Sequence, residues 1–256
     1  MPKPDRSYRT SALILKRRDF GEADRLLTLL TPQFGKVSAI AKGARKPIST
    51  KTGHVELFTR VDMLINRGRD LDIVSQAEVR ATYLPLREDL QRGAYASYAA
   101  ELADRFTQSE EEQSAAIFDL LDATFDRLCQ DEDLRRVVRY YELHLLDQVG
   151  FRPELTECVF THEAVQPVDQ FFSYAEGGAV SPAAAQHSST LVPISVDTLK
   201  LLRFMQRSPY DHLHQLNIPH AIHQSVERLL MGYITHLLEA RLQSVDFIRR
   251  VRSHLP

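Results

Sequence analysis

Short stretches with strand-like hydrophobic patterns fill the first eighty residues of the chain. Val55 to Ile65 alternates apolar and polar positions, which predicts a strand with one buried face. Leu71 to Val79 repeats the alternation after a turn-forming Arg-Gly-Arg-Asp sequence, and the two stretches predict a hairpin. Three apolar runs between turn residues predict three earlier strands, at Ser11–Arg18, Arg25–Thr31 and Lys36–Lys42. Five short strands without a long helix between them suit a small closed barrel.

Beyond about residue 83 the hydrophobic period becomes that of helices. Apolar residues spaced three and four apart predict helices at about 95–106, 117–128, 134–149 and 222–237. Ser109 and Glu112 form a capping-box pattern before the second helix, and Pro219 is expected to start the fourth. The α+β fold expected here is a barrel domain, residues 1–80, followed by a mainly helical domain, residues 81–256.

A small β insertion is expected within the helical domain, over residues 151–195. Phe171 to Tyr174 is a short aromatic strand pattern, and the Gly177-Gly178 dipeptide that follows is typical of a hairpin.

Composition supports a folded protein in a reducing compartment. The 256 residues are 43% apolar and 26% charged, as expected for one or two soluble domains. The two cysteines and the absence of an apolar N-terminal run predict neither a disulfide framework nor a secretory signal, which favours the cytoplasm. The charge-free run 177–196 is long enough to span a membrane but contains two prolines, so no membrane partner is expected.

The net charge of -2 conceals an uneven distribution. Residues 1–80 contain 16 Lys and Arg against 9 Asp and Glu, whereas residues 81–256 contain 16 against 25. A basic barrel attracts phosphate, because each neutralised phosphate releases a condensed counterion. The charge therefore favours the five-stranded oligonucleotide-binding (OB) barrel, with an SH3-like barrel as the structural alternative.

Motifs for catalysis are missing. The chain contains no G-x-x-x-x-G-K-[ST], G-x-S-x-G or H-E-x-x-H sequence, which disfavours an enzyme. Two histidine pairs leave a metal-dependent hydrolase as an alternative: His212 with His214, and His220 with His223. Without a nearby cysteine or paired acid, we interpret them as surface histidines.

Three short sequences occur in a characteristic order in the barrel. They are Gly21-Glu22-Ala23-Asp24-Arg25-Leu26, Thr31-Pro32-Gln33-Phe34-Gly35-Lys36 and Ala41-Lys42-Gly43-Ala44-Arg45-Lys46. Together they resemble the N-terminal signature of the bacterial RecO family, and the similarity continues over nearly the whole chain. The resemblance implies an OB barrel, a helical domain and a DNA-repair protein that acts as a recombination mediator.

The family resemblance also implies partners. A member would bind single- and double-stranded DNA, anneal complementary strands and, with RecR, help to load RecA onto DNA covered by single-stranded-DNA-binding protein. It would do so without a cofactor and in association with the nucleoid. An RNA-binding barrel fused to a helical adaptor is the alternative, and a preference for ligands with a 2′-hydroxyl would favour it.

Candidate DNA-binding residues lie on the first and third predicted strands and in the loop that follows the third. They are Lys16, Arg17, Arg18, Lys36, Lys42, Arg45, Lys46 and Lys51. Lys36 and Lys42 are six residues apart on one strand face and predict a phosphate-tracking ridge, whereas alternation sends Arg17 to the other side. Phe20 and Phe34, both in turns, are candidates for base stacking or for plugs of the barrel ends.

The insertion departs from the family in its cysteines. Many relatives carry two Cys-x-x-Cys pairs suited to structural zinc, but here Cys158 is the one cysteine of the four. The other three positions hold Thr161, Ser181 and Ala184. We predict a metal-free, degenerate zinc-finger-like insertion in which Phe171, Phe172 and Tyr174 pack on the helices. A rescued site of Cys158, His162 and His187 is the alternative.

Arg139 is a candidate contact for a protein partner. It lies on the predicted helix 134–149 with Arg135 and Arg136, and a solvated basic face is the simpler interpretation. The family resemblance suggests instead that Arg139 receives the acidic, apolar-tipped C-terminal tail of single-stranded-DNA-binding protein.

Overall fold

The computed structural model describes residues 6–46, 53–107, 113–239 and 242–254. The chain divides into two compact units, residues 1–132 with 243–256 and residues 133–242. The helices that directly follow the barrel therefore belong to its unit. The domain boundary predicted at residue 80 lies near the end of β5 and stays a prediction.

The first unit contains a closed barrel of five strands. They are β1 (Ser7–Phe20), β2 (Asp24–Thr31), β3 (Gly35–Ala41), β4 (Arg60–Asn66) and β5 (Asp72–Ala81). Their order around the barrel is β1-β2-β3-β5-β4, and β4 pairs with β1 to close it. Only the β3–β5 pair is parallel among these pairings. The predicted five-stranded barrel is confirmed.

Strand β1 belongs to two pairings. Ser7 to Leu13 pairs with β4, and Leu13 to Phe20 pairs with β2. A register shift between Ile14 and Lys16 separates the two stretches, as expected where a bulge bends and twists a strand. The bend allows one 14-residue strand to close the barrel.

The predicted strand Val55–Ile65 is wrong in its first five residues. Strand β4 begins at Arg60, and Phe58 adopts a φ of 60°, in the left-handed region that breaks a strand. Val55 nevertheless lies in the barrel core, and Phe58 packs edge-on against Phe125 at 5.5 Å. Apolar residues of a loop that pack in the core thus mimic a strand pattern.

Eight α-helices lie in the described part of the chain. They are α1 (Pro85–Glu88), α2 (Leu90–Phe106), α3 (Ser114–Gln130), α4 (Leu134–Gln148), α5 (Val196–Arg207), α6 (Tyr210–Leu213), α7 (His220–Leu238) and α8 (Gln243–His254). The capping box predicted at Ser109 and Glu112 lies outside the described residues. No described helix is long and apolar enough to cross a membrane.

The C-terminal helix α8 was not predicted, and it belongs to the barrel's unit. The Glu101 carboxylate, on α2, accepts hydrogen bonds from the backbone N–H groups of Gln243 at 3.0 Å and Ser244 at 2.8 Å. These bonds satisfy N–H groups at the start of α8, which have no partner within the helix.

The second unit carries a three-stranded sheet between its helices. The strands β6 (Gln170–Ser173), β7 (Gly178–Val180) and β8 (Leu191–Ile194) are antiparallel in the order β7-β6-β8. The β6–β7 hairpin was predicted, whereas β8 was not. The zinc-finger-like character of this insertion stays a prediction.

Aromatic packing holds the sheet against α7. The ring of Phe172 meets that of Tyr233 at 5.5 Å in an edge-on arrangement, and Tyr174 stacks on the same Tyr233 at 6.4 Å. Phe171 is half-buried and lines a cavity with Leu229 of α7. The predicted packing of Phe172 and Tyr174 on the helices is confirmed.

Candidate nucleic-acid interface

The β1–β2 turn and the loop that follows β3 meet at one end of the barrel. The backbone N–H of Arg45 donates to the carbonyl of Ala23 at 2.9 Å, and that of Gly43 donates to the Asp24 carboxylate at 2.8 Å. Gly43 has a φ of 67°, a conformation that glycine adopts without a steric penalty. The segment 42–46 is thereby fixed against the β1–β2 turn.

Four of the predicted DNA-binding residues and one stacking candidate are exposed on this joined surface, which we call the loop patch: Arg18, Lys42, Arg45 and Lys46 with Phe20. Arg18 and Lys42 form no ion pair within the described residues. Arg45 lies 3.4 Å from the Asp19 carboxylate, and both side chains face solvent. Phe20 is 43% exposed, as a stacking residue must be. The patch is an exposed basic surface with one aromatic ring.

Lys16 and Lys36 lie outside the loop patch because both bind α2. The Lys16 ammonium is 2.5 Å from the Asp104 carboxylate, and Lys36 lies 3.5 Å from its other oxygen. Lys36 also donates to the Asp104 backbone carbonyl at 2.7 Å. Burial raises the pKa of Asp104, but the two lysines outweigh burial and leave the pKa below its ordinary value.

Arg17 is likewise bound within the unit, together with Arg25. Both guanidinium groups contact the Glu56 carboxylate, Arg25 at 2.9 Å. Burial raises the pKa of Glu56, and the hydrogen bonds and charges of the two arginines lower it by more. We call Lys16, Arg17, Arg25 and Lys36 the anchored cations.

The two lysines of the predicted ridge, Lys36 and Lys42, lie at opposite ends of β3, and the ridge stays a prediction. Lys36 lies at the start of β3, paired opposite Leu30, whereas Lys42 follows the end of the same strand. Because Asp104 binds one of them and the other faces solvent, they have different environments. Lys51 lies outside the described residues.

Phe34 lies at the other end of the barrel from Phe20. Its ring packs on Tyr8 at 4.4 Å, and the Arg67 guanidinium lies over both rings. The Tyr8 hydroxyl donates to the Asp72 carboxylate at 2.7 Å, and burial together with this bond raises the pKa of Tyr8. The packing supports the plug interpretation for Phe34, while Phe20 keeps the exposure that stacking needs.

The placement of Arg139 argues against both interpretations of it. The side chain is fully buried, with 1% of the residue exposed, and its guanidinium lies 3.1 Å from the equally buried Glu142 carboxylate on α4. Arg136 is buried as well. Arg136 and Arg139 therefore contribute no solvated basic face, and Arg139 presents no surface to a tail. Helical spacing could not reveal the burial of Arg139, because α4 buries Arg136 and Arg139 as well as its apolar residues.

The histidine pairs are not assembled into a metal site. His212, His214 and His220 are exposed, as interpreted, but His223 is buried and lies 3.2 Å from the Asp133 carboxylate. Burial raises the pKa of Asp133, and His223 and a backbone N–H lower it by more. Surface placement is therefore wrong for His223. In the described residues no three His, Cys, Asp or Glu side chains are placed to hold a metal.

Cys158 is buried in the second unit, and its sulfur accepts hydrogen bonds from backbone N–H groups. The backbone N–H of Ser181 donates to the Cys158 Sγ at 3.4 Å. Burial raises the pKa of the thiol, but these N–H groups and the Thr161 hydroxyl lower it by more, to about 6. The His187 ring packs on Phe160 at 5.7 Å. A metal-free insertion remains a prediction.

Sequence reasoning missed arginines at the barrel end that holds Phe34. Arg9, Arg67 and Arg69 are exposed, the last two in the β4–β5 loop. The Arg-Gly-Arg sequence was used only to predict a hairpin. In an OB barrel the loop between strands 4 and 5 contributes to oligonucleotide binding, and this rule could have identified them.

A closed five-stranded barrel with an exposed basic loop surface, followed by a helical region, defines the class of OB-barrel binding proteins. Comparisons with known proteins narrow the class. The family model "Recombination protein O N terminal" matches residues 6–83, and "Recombination protein O C terminal" matches residues 87–246. The chain belongs to the RecO family of DNA repair proteins.

Individual relatives are similar over almost the entire chain. DNA repair protein RecO of Roseiflexus sp. (strain RS-1) is 41% identical over 98% of this chain and 88% of the relative. The RecO protein of Pelotomaculum thermopropionicum is 36% identical over 95% of this chain and 94% of the relative. That of Dehalococcoides mccartyi (strain ATCC BAA-2266 / KCTC 15142 / 195) is 35% identical over 93% of each.

Proposed function

We propose that this DNA-repair family member binds DNA through the loop patch and acts there as a recombination mediator. The observation that carries the proposal is the separation of the barrel's cations into two sets. Arg18 and Lys42 form no described ion pair, whereas the anchored cations are bound to Asp104 and Glu56.

The chemistry of the patch suits a flexible single strand. Its lysines and arginines attract phosphates, and binding gains free energy from released counterions. Phe20 offers a ring on which a base stacks without regard to its identity. A site of this kind binds many sequences, which is what a protein that handles arbitrary broken DNA requires.

The mediator role follows from the family resemblance. The protein would bind single- and double-stranded DNA, anneal complementary strands without hydrolysing nucleotides and, with RecR, assist RecA loading onto DNA covered by single-stranded-DNA-binding protein. It would act in the cytoplasm on nucleoid DNA. Because Arg139 is buried, any contact with the tail of single-stranded-DNA-binding protein would use other residues.

Titration of a fluorescent single-stranded oligonucleotide at several salt concentrations tests the proposal. The triple variant Lys42→Ala, Arg45→Ala, Lys46→Ala should bind more weakly and flatten the logarithmic salt dependence by about two units if all three contact phosphates. The matched control, Arg152→Ala with Lys200→Ala and Arg228→Ala, removes equal charge from exposed positions of the second unit. It should bind as the wild type does.

Three results would count against the proposal. Equal weakening in the two triple variants would mean that net charge, and not the patch, determines affinity. Unchanged binding of the patch variant would place DNA elsewhere. Tighter binding of a matched RNA strand than of DNA would favour the RNA-binding alternative.

A further inference from the structure

A cavity lies at one end of the small sheet in the second unit, where α7 closes it. Strand β6 begins at this cavity, β8 ends at it, and the segment that follows β7 forms a further wall. Its volume of about 570 Å³ falls within the range of about 300–1,000 Å³ that is usual for small-molecule sites. The lining residues all lie between positions 169 and 229, so the cavity belongs to the second unit alone.

The walls of the cavity are mainly apolar. Phe171, Val192 and Ile194 come from the sheet, Leu229 comes from α7, and Pro182 follows β7. Phe171 is half-buried, so part of its ring remains available to a ligand. An aromatic or aliphatic ligand gains free energy when it leaves water for walls of this kind.

The hydroxyl groups of the cavity are already hydrogen-bonded. Those of Ser195 and Thr198 bond each other at 2.8 Å at the start of α5, and that of Ser225 donates to the carbonyl of Ala221 at 3.0 Å. The folded chain therefore satisfies these groups without a ligand.

Gln170, in contrast, brings to the cavity a buried polar atom that has no partner. The residue is 2% exposed, and its Nε2 donates to the carbonyls of Gln166 at 2.9 Å and Val168 at 3.2 Å. These bonds orient the amide and leave its Oε1 without a hydrogen-bond donor among the described residues. A buried acceptor without a donor destabilises the folded state, and an N–H or O–H group of a ligand would satisfy it.

Two opposite charges lie at the rim of the cavity. Asp169 and Arg228 are both exposed, and neither forms an ion pair within the described residues. The Oδ1 of Asp169 accepts the backbone N–H of Val196 at 2.8 Å, which fixes the carboxylate beside the start of α5. A zwitterionic ligand carries an ammonium group for Asp169 and a carboxylate for Arg228, so its charges complement the rim.

We propose that this cavity binds a free aromatic α-amino acid whose side chain has a hydrogen-bond donor, with tryptophan as the best fit. The ring would lie against Phe171 and Leu229, and its indole N–H would donate to Gln170 Oε1. The ammonium and carboxylate groups would bind Asp169 and Arg228. The inference does not rest on DNA binding by the loop patch, because the cavity lies in the other unit.

Ligands with a single charge fit the rim less well. Arg228 attracts an anion that Asp169 repels, and Asp169 attracts a cation that Arg228 repels. A small polar amino acid would leave the apolar walls in contact with water. The combination of opposite charges and apolar walls therefore favours an aromatic zwitterion.

Isothermal titration calorimetry of the full chain with four ligands tests the inference. The wild type should bind one tryptophan per chain. Phenylalanine lacks the ring N–H and should bind about fivefold more weakly. Tryptamine lacks the carboxylate and 3-indolepropionate lacks the ammonium group, and each should bind at least tenfold more weakly than tryptophan.

Variants that remove one charge each locate the site. Asp169→Asn keeps an acceptor for the backbone N–H of Val196, and both it and Arg228→Gln should weaken tryptophan binding at least tenfold without changing the urea midpoint. The matched controls Asp147→Asn and Arg152→Gln remove the same charges from exposed positions of the same unit, outside the cavity. They should bind tryptophan as the wild type does.

Several results would overturn the inference. One is the absence of tryptophan binding to the wild type. Equal affinities for tryptophan, tryptamine and 3-indolepropionate would show that the indole ring adheres to apolar surface without a zwitterion site. Equal weakening in the rim variants and their controls would place the ligand elsewhere. Oligonucleotide binding should be the same in the rim variants and the wild type, so a failure of the proposed DNA-binding function would be seen separately.

Discussion

The loop patch and the anchored cations lie on the same barrel and contain the same residue types, yet their surroundings differ. Lys16 and Lys36 bind Asp104, and Arg17 with Arg25 binds Glu56, so these charges hold the unit together. The residues of the loop patch face solvent. A basic sequence therefore contains two kinds of cation, and acids distant in the chain decide which cations remain available to DNA.

The aromatic candidates extend this comparison and should give the largest effects. Phe34→Ala should lower the free energy of unfolding by about 2 kcal/mol, because the ring packs on Tyr8. Phe20→Ala should leave stability almost unchanged but weaken oligonucleotide binding by about 1–2 kcal/mol through lost stacking. Urea denaturation and a binding titration of both variants measure the two quantities, and a reversed assignment would contradict the account.

Substitution of Glu56 tests whether the anchored arginines stabilise the unit. Glu56→Gln should cost about 1–2 kcal/mol of stability, since it weakens charged hydrogen bonds with Arg17 and Arg25. Glu22→Gln serves as the control because Glu22 is exposed in a turn. Equal urea midpoints for the two variants would show that the anchored arginines do not stabilise the unit.

Removing the Asp104 charge should turn anchored lysines into available ones. Asp104→Asn is expected to raise oligonucleotide affinity about fivefold at low salt, as Lys16 becomes free to contact phosphate. Asp119→Asn removes the same charge from an exposed position on α3 and controls for net charge. An equal gain in both variants would assign the effect to long-range electrostatics alone.

Acid titration gives the smallest expected effect. The lowered pKa values of Asp104 and Glu56 mean that the folded state favours their ionised forms, so their stabilising contribution is complete above about pH 5. It is lost as the pH falls below their ordinary values near 4, by roughly 1 kcal/mol or less for each group. The urea concentration at the unfolding midpoint should fall less steeply between pH 6 and pH 3 in the double variant Asp104→Asn, Glu56→Gln than in the wild type.

Sequence patterns were sufficient for the barrel and insufficient for the pairing of its charges. Alternation located the strands because one face of each packs in the core. It failed at 55–59, where the residues form a loop around the left-handed Phe58 although Val55 and Phe58 are buried. Strand β8 escaped because Pro193 interrupts a four-residue strand.

The candidate site depended on contacts far apart in sequence. Lys16 and Asp104 are 88 positions apart, and no local pattern records their contact. The exposure of Lys42 was foreseeable from its position at the end of a predicted strand, while the burial of Arg139 depends on the packing of a whole helix. Local sequence thus located the basic residues of the barrel but did not predict which of them remain available to contact DNA.

The central claim is tested most directly by two matched double variants and their salt dependence of oligonucleotide binding. One double variant combines Arg18→Ala with Lys42→Ala, and the other combines Lys16→Ala with Arg17→Ala. Each removes one arginine and one lysine from the barrel. The first should flatten the slope of log affinity against log salt by about 1.4, as expected for two lost phosphate contacts to a single strand, and the second by less than half of that. Equal slopes in the two variants would contradict the division between available and anchored cations.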